Sequence, residues 1–142
     1  MRALEAPEVR AFLLTGTRTA KVAVLRRDGS PLVTPVWFLP DEDGSLIFET
    51  GRSSVKGRSL SRDPRVSICV EDDEPPFGFV RVDGIAELSD DHDELLSWTI
   101  KIAARYMGDD RAEEFGRRNA APTEMLVRVR PHRVVAQVEL TD

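Results

Sequence analysis

The feature that most constrains the fold is a pair of β-prone segments joined by a tight-turn sequence. Thr19–Arg27 and Leu32–Leu39 are rich in β-branched and apolar residues, and Asp28-Gly29-Ser30-Pro31 separates them. Asp-Gly is a strong hairpin signal because both residues accept the positive φ angles of a two-residue hairpin turn. The sequence therefore predicts an antiparallel β-hairpin near the N-terminus.

Later segments show the alternation of apolar and polar residues that is typical of half-buried strands. They are Ser45–Thr50, Val66–Glu71, Phe77–Leu88, Glu124–Val129 and Arg133–Leu140. We expect the first to extend the hairpin into a three-stranded meander, and the last two to be separate strands joined at Arg130-Pro131-His132. Gly84 is expected to mark a β-bulge. An open or closed antiparallel β-barrel is the most economical architecture for this pattern.

Four segments carry helical signals instead. Pro7–Leu14 places a proline in its first turn, and Asp91–Met107 repeats apolar residues at helical spacing after an acidic start. Shorter helices are expected at Ser53–Ser61 and Asp109–Arg118. Because no repeat or linker divides the chain, residues 1–142 are expected to form a single domain.

Composition limits the classes of function. Of the 142 residues, 41% are hydrophobic and 32% charged, a balance typical of a globular domain with its own core. The 20 Lys and Arg residues against 25 Asp and Glu give a net charge of −5, which disfavours nucleic acid and anionic membranes as partners. Acidic residues and Pro7 interrupt the N-terminus where a signal peptide needs a continuous apolar run, so a cytoplasmic protein is expected.

Few residues suit metal or nucleophilic chemistry. The chain has 1 cysteine and 2 histidines, which excludes an internal disulfide and disfavours a dedicated metal site. It contains no Gly-x-Ser-x-Gly or His-Glu-x-x-His motif, and Lys56-Gly57 reverses the Gly-Lys order of a P-loop. Hydrolase, metalloprotease and ATPase functions therefore lack a local sequence signal.

The strongest functional signal is a basic segment at the end of a predicted strand. Between Arg52 and Arg65, 5 basic residues accompany a single acid, Asp63. The stretch from Thr50 to Arg58 combines hydroxyls, cations and the backbone N–H groups of a helix start, as a phosphate site requires. The same residues are equally compatible with Ser53 as a plain helix cap beside a solvated basic face.

Two pairs of aromatic residues offer flat apolar surface. Trp37 and Phe38 end the second strand segment, and Phe77 and Phe79 lie at the start of a later one. Each such residue more often belongs to a hydrophobic core than to a ligand site. A ring-binding wall combined with a phosphate site is nevertheless what a flavin-like cofactor needs.

Several motifs occur in a characteristic order: Thr34-Pro35-Val36-Trp37-Phe38, Ser54-Val55-Lys56 and Leu60-Ser61-Arg62-Asp63-Pro64-Arg65-Val66. In this order they resemble the pyridoxamine-phosphate-oxidase-like split-barrel flavoproteins. Glu74-Pro75-Pro76-Phe77 and Arg105-Tyr106-Met107-Gly108 are similar to the actinobacterial branch that uses the deazaflavin coenzyme F-420. The similarity runs from about Thr17 to Val135.

This resemblance implies a mainly β fold, a six-stranded antiparallel split β-barrel with flanking helices, that forms a homodimer with cofactor sites at the subunit interface. The residues implied at the cofactor phosphate and its anionic tail are Thr50, Gly51, Ser54, Val55, Lys56, Arg58 and Arg62. Those implied around the ring are Thr34, Pro35, Val36 and Trp37, with Phe77, Gly78 and Phe79 supplied by the partner subunit. Ser59 departs from the family pattern, since many relatives carry Asn there, and so do Phe77 and Phe79, which replace a Trp or Tyr.

The resulting hypothesis is a reductase that transfers a hydride from reduced coenzyme F-420 to a conjugated, small-molecule organic substrate. No side chain in the sequence stands out as the proton donor. One alternative keeps the fold but uses FMN as the cofactor of a flavin oxidoreductase. The other is a non-catalytic protein that binds a flavin or a tetrapyrrole in the same groove.

Overall fold

Strand signals outnumber helix signals in the sequence, and the computed structural model, which describes residues 1–142, has the same balance. Its strands are β1 (Arg2–Ala3), β2 (Ala20–Leu25), β3 (Pro31–Val36), β4 (Leu39–Pro40), β5 (Leu46–Gly51), β6 (Arg65–Asp72), β7 (Gly78–Ser89) and β8 (Glu124–Val138). Its helices are α1 (Ala6–Leu14), α2 (Val55–Arg62), α3 (His92–Met107) and α4 (Ala112–Asn119), the last preceded by a 3-10 turn at Asp109–Arg111. Because β1 and β4 have only 2 residues each, six principal strands remain, as expected.

The strands form one antiparallel sheet whose two ends come together without pairing. Their order is β3-β2-β6-β7-β8-β5-β4, with β1 added beside β8. The two ends of this order are β3 and β4, and only Trp37 and Phe38 separate them along the chain. The Cα atoms of Val36 and Leu39 are three residue steps apart and can be separated by at most about 11 Å, so the end of β3 and the start of β4 must lie close together. No ladder joins β3 to β4, so the barrel is split at Trp37 and Phe38, which we call the seam.

The expected three-stranded meander forms only in part. The hairpin of β2 and β3 forms as expected, and β4 pairs with β5 at Leu39 and Pro40, but the long ladder of β5 is with β8, from Leu46 opposite Val129 to Gly51 opposite Glu124. The reason lies in the seam: Phe38 is fully buried in the barrel core, and Trp37 stacks on a ring outside it. The packing of these two side chains takes the chain out of the β3 ladder.

Two hydrophobic clusters hold the barrel and its helices together. Inward-facing residues of the long strands fill the barrel, with Val22, Phe48 and Ile68 among the most buried. A smaller cluster lies outside the barrel, where Ile47 of β5 packs with Leu95 of α3. Ile47 and Phe48 are therefore both buried although they point to opposite faces of the strand, because α3 covers the outer face of β5.

The expected break in the last strand is a bulge. β8 is continuous, and opposite it Asp83 pairs with Arg133 while Gly84 pairs with Pro131, which leaves His132 as the extra residue. The predicted bulge at Gly84 is therefore confirmed. A Cβ atom at Gly84 would collide with the carbonyl oxygen of Arg130, so the close approach of the two strands requires glycine here.

The helix predictions at Pro7–Leu14 and Asp91–Met107 are confirmed to within a residue. Asp91 is the N-cap of α3, and its carboxylate accepts hydrogen bonds from the N–H groups of Asp93 and Glu94. None of the helices has the length and the apolar composition needed to cross a lipid bilayer.

Candidate functional site

The loop between β5 and α2 is built so that α2 begins directly after the strand. Ser54 is the N-cap: its hydroxyl accepts a hydrogen bond from Gly57 N–H at 3.0 Å and donates one to the carbonyl of Gly51 at 2.7 Å. The cap is thus Ser54 and not Ser53. A Cβ atom at Gly57 would collide with the carbonyl oxygen of Gly51, so glycine is required despite its low helix propensity.

A groove of about 450 Å³ lies on one side of this loop, and we call it the Lys56 groove. It is lined by Pro35, Val36, Trp37, Glu49, Thr50, Gly51, Lys56, Phe115, Arg118, Asn119 and Glu124. Six of the residues expected from the sequence therefore come together here, from the seam, β3, β5 and α2. Thr34 is connected to the groove through a hydrogen bond with Lys56.

Trp37 is held in place by Tyr106 of α3. The two rings stack with centroids 5.0 Å apart and planes 2° from parallel. The hydroxyl of Tyr106 donates to the carbonyl of Arg18 at 2.7 Å and accepts from the N–H of Phe38 at 3.3 Å. Burial raises the pKa of Tyr106, so the phenol stays protonated and donates at neutral pH.

Lys56 is the partly buried cation of the groove, and Arg118 is an exposed one. Its Nζ donates to Oγ1 of Thr34 at 3.1 Å, and the ammonium group has a neutral partner but no ion pair. Burial lowers the pKa of Lys56, while the nearby carboxylates of Glu49 and Glu124 act in the opposite direction. An anionic group bound beside Lys56 would meet a partly desolvated positive charge, which is a strong partner for phosphate.

Sequence reasoning missed the two acids of this groove. Burial raises the pKa of Glu49 to about 7, with a further contribution from Glu124 and an opposing one from Lys56. Oε2 of Glu124 is buried and has no hydrogen-bond partner. A signal existed for Glu49, because it is the one charged residue of β5, directly before Thr50 and Gly51.

A second groove, of about 610 Å³, lies along the other side of α2, and we call it the arginine groove. Its lining residues are Arg26, Arg27, Val55, Arg58, Ser59, Ser61 and Arg62. The four guanidinium groups have no acidic neighbour in the groove. Arg26 and Arg62 donate only to backbone carbonyls and to Ser30.

Val55, Arg58 and Arg62 were expected at an anionic ligand, and the structure places them together. Arg26 and Arg27 were missed, because they follow β2 in a turn whose position against α2 depends on the folded sheet. The result is a strongly positive surface on a protein whose net charge is −5.

Phe77, Gly78 and Phe79 lie in neither groove. They form the corner before and at the start of β7, where Phe77 has a positive φ of 63° and is 37% exposed. A Cβ atom at Gly78 would lie 2.9 Å from Cγ1 of Val138 and 3.3 Å from a ring carbon of Phe12, which requires a small residue there. Their expected contribution to a partner subunit's site stays a prediction.

No group of three or more His, Cys, Asp or Glu side chains is placed to bind a metal ion. The two grooves offer a stacked aromatic wall, one lysine, two acids and five arginines, and none of these cations forms an ion pair. This arrangement suits a planar ligand that carries anionic groups.

Comparison with protein families gives one match, to a family described as pyridoxamine 5'-phosphate oxidase, over residues 6–137. None of the curated protein sequences is significantly similar to the chain. Among solved structures, a conserved hypothetical protein from Mycobacterium tuberculosis is 26% identical with a TM-score of 0.83, over 96% of this chain and 86% of that one.

Two other solved structures have informative names. A protein named as an F-420 reductase is 25% identical with a TM-score of 0.68, over 86% of this chain and 92% of that one. The heme storage protein HutZ from Vibrio cholerae is 20% identical with a TM-score of 0.73, over 96% of this chain and 98% of that one, a likeness of fold alone.

Proposed function

Since this chain belongs to the pyridoxamine 5'-phosphate oxidase family, we propose that it is a reductase that transfers a hydride from reduced coenzyme F-420 to a conjugated, small-molecule organic substrate. Bound in its reduced form, the deazaflavin supplies the hydride. The protein binds the cofactor, orients it against the substrate and excludes water from the ring. The similarity to a protein named as an F-420 reductase, at 25% identity, supports this choice of reaction.

One observation carries the proposal: a stacked aromatic wall and an unpaired cation line the same groove. Trp37 supplies a flat surface that Tyr106 supports from behind, and Lys56 supplies a charge whose only hydrogen-bond partner is Thr34. A ring against Trp37 and a phosphate at Lys56 would use both features together. Thr50, Gly51 and Ser54 shape the loop beside them, and Pro35 and Val36 extend the apolar wall.

The arginine groove favours F-420 over FMN. FMN carries a single phosphate, whereas F-420 carries a phosphate and, in addition, the carboxylates of its glutamate tail. Four guanidinium groups without acidic partners suit several anionic groups in a row, since each bound carboxylate replaces solvent around an unpaired cation. We assign Arg58 and Arg62, with Val55 between the two grooves, to the tail side of the cofactor.

A homodimer would complete the site. Val33 of β3 and Ile85 of β7 are 59% and 41% exposed and alternate with inward-facing core residues, so both point to the outside of the sheet. Apolar residues of this kind on one sheet face are suited to a second copy of the chain. Phe77, Gly78 and Phe79 would then close the ring pocket of the partner, and we place the assembly in the cytoplasm.

An FMN-dependent oxidoreductase is the second candidate, because the Lys56 groove alone can hold one phosphate and one ring. The test is to titrate the purified protein with oxidised F-420 and, separately, with FMN, following fluorescence and anisotropy. We expect micromolar or tighter binding of F-420 and much weaker binding of FMN. The reverse preference would make the protein an FMN oxidoreductase. Binding of neither would overturn both and favour a non-catalytic carrier of another ligand.

A further inference from the structure

The Lys56 groove contains two carboxyl groups, Glu49 and Glu124, which a phosphate site does not need. Glu49 of β5 lies opposite Leu126, and Glu124 lies opposite Gly51, so the two acids are diagonal neighbours on one face of the β5–β8 pair. Such neighbours have Cα atoms about 7–8 Å apart. Both side chains line the groove, together with Lys56 and Arg118.

Three of the elements around Glu49 contribute charged side chains to the groove. α2 contributes Lys56, β8 contributes Glu124 and α4 contributes Arg118, which is exposed and lies over the ring of Phe115. α3 meets β5 through apolar residues. Beyond Glu124, Arg52 and Asp90 form an ion pair of 3.0 Å and largely neutralise each other. β8 also places Arg128 diagonal to Glu49, but Arg128 forms an ion pair with Asp41 at 2.6 Å. Lys56 is therefore the one partly buried cation near the two carboxylates that is not already in an ion pair.

An anion at Lys56 changes this balance in two ways. It neutralises the positive charge that stabilises the ionised form of Glu49, and it adds negative charge to a groove that already holds two carboxylates. Both changes favour a neutral Glu49, because like charges in a partly desolvated site repel strongly.

We propose that Glu49 is a proton site coupled to anion binding at Lys56: when an anion occupies the groove, Glu49 takes up a proton and becomes a neutral carboxylic acid. This inference rests on the proposed function for the identity of the anion, but not for the coupling itself. In the free protein the protonated and ionised forms of Glu49 are already similarly populated near neutral pH, because burial raises its pKa to about 7. A modest change of nearby charge is then enough to protonate it at neutral pH.

A neutral Glu49 would also supply the proton donor, which the sequence left unassigned. Addition of a hydride to a conjugated substrate brings two electrons and leaves a negative charge on the product. Glu49, in the same groove as Trp37, can transfer its proton to that product and return to the carboxylate, which solvent reprotonates. Hydride and proton together saturate one double bond, so the atoms and charges balance.

The coupling can be measured without turnover. We would titrate the protein at pH 8 with inorganic phosphate, FMN and F-420 by isothermal titration calorimetry, in two buffers that differ in ionisation enthalpy. The difference in heat gives the number of protons taken up per anion bound. We expect about one proton, and a dissociation constant that rises about tenfold per pH unit over the alkaline range where the coupled proton is taken up.

Two variants assign the proton. E49Q keeps the shape of the side chain, and we expect it to bind the same anions with proton uptake near zero. E113Q alters an exposed acid of α4 that is paired with Arg117, and we expect it to retain the wild-type uptake. Uptake that persists in E49Q would place the proton elsewhere and overturn the proposal.

The remaining outcomes separate this inference from the proposed function. Binding of F-420 by the wild-type protein without proton uptake overturns the coupling and leaves the cofactor assignment standing. Phosphate binding with uptake that E49Q abolishes, but no binding of F-420 or FMN, supports the coupling and overturns the proposed function. Failure of all three anions to bind overturns both.

Discussion

The indole ring of Trp37 and the phenol ring of Tyr106 lie 5.0 Å apart and within 2° of parallel. Trp37 belongs to the seam, where no ladder hydrogen bonds fix the backbone, so its position depends on this contact. Tyr106 is itself anchored to the carbonyl of Arg18 and to the N–H of Phe38. One residue of α3 thus sets the geometry of the aromatic wall.

Replacing Tyr106 with Phe is expected to lower the stability of the fold more than the affinity for the cofactor. Y106F keeps the stacked ring but leaves the N–H of Phe38 and the carbonyl of Arg18 without their partner, at a cost of about 1–3 kcal/mol. Y106L removes the stack as well, and we expect it to weaken cofactor binding further. Thermal unfolding and fluorescence titration of both variants measure the two effects. Equal cofactor affinities for Y106F and Y106L would show that the stack has no part in binding.

Loss of Lys56 is expected to weaken cofactor binding sharply. K56A removes the partly buried cation of the groove, which has no ion pair, and a hydrogen bond to a charged group is worth about 1.5–3 kcal/mol. We therefore expect a loss of roughly 10-fold to 150-fold in affinity for F-420 by anisotropy. K101A, on the exposed side of α3, is the matched control. Near-normal affinity of K56A would refute the assignment of the phosphate to Lys56.

Thr34 is expected to act through Lys56. Oγ1 of Thr34 accepts the hydrogen bond from Nζ at 3.1 Å, and T34V removes the acceptor while it keeps the β-branched shape. Lys56 should then be less well oriented, and we expect a several-fold loss of F-420 affinity in T34V. Combined with K56A, T34V should cause no additional loss, because the two changes remove one interaction. Additive losses in the double variant would contradict this relationship.

Glu49 makes the stability of the fold depend on pH. Its pKa is raised from 4.5 to about 7 in the folded protein, so the folded state binds this proton more tightly than the unfolded chain. The free energy of unfolding should therefore fall as pH rises from about 4.5 to 7 and change little above that. E49Q has no carboxylate to destabilise and should be more stable than the wild type at pH 8 by about 3 kcal/mol, with a smaller difference at pH 5. Denaturant unfolding at both pH values gives the comparison, and equal differences at the two pH values would argue against a titrating Glu49.

The arginine groove predicts a difference between the two cofactors. The double variant R58A/R62A should bind F-420 at least about tenfold more weakly, and should bind FMN almost as well as the wild type, because FMN has no tail to reach the groove. R117A on the exposed face of α4 is the control. A parallel loss for both cofactors would instead place the phosphate itself in the arginine groove.

Local signals in the sequence were sufficient to predict the β2–β3 hairpin, the helices α1 and α3 and the bulge at Gly84. In each case a turn residue, a cap or a periodic apolar face acts within a few residues, and tertiary packing does not override it. The meander is interrupted for the opposite reason. Whether the ladder beside β5 continues from β4 into β3 depends on where the side chain of Phe38 packs, which is decided by the whole barrel.

The candidate site divides in the same way. Lys56 and the Thr50–Ser54 loop are contiguous, so a strand end followed by a basic helix start made them recognisable. Glu49 and Glu124 are 75 positions apart, and only the antiparallel register of β5 and β8 makes them diagonal neighbours. Arg26 and Arg27 likewise belong to the arginine groove only because the turn after β2 lies beside α2 in the folded protein. Residues whose role depends on pairing between distant strands carry no short motif.

The seam also determines how a ligand can enter. Trp37 and Val36 form one wall of the Lys56 groove and β5 forms the other, and no ladder runs between β3 and β5. Widening the groove therefore breaks side-chain contacts but no backbone hydrogen bonds. For the cofactor proposed above, entry and release would then require side-chain movement at the seam alone, while the β5–β8 ladder that holds Glu49 and Glu124 in register stays paired.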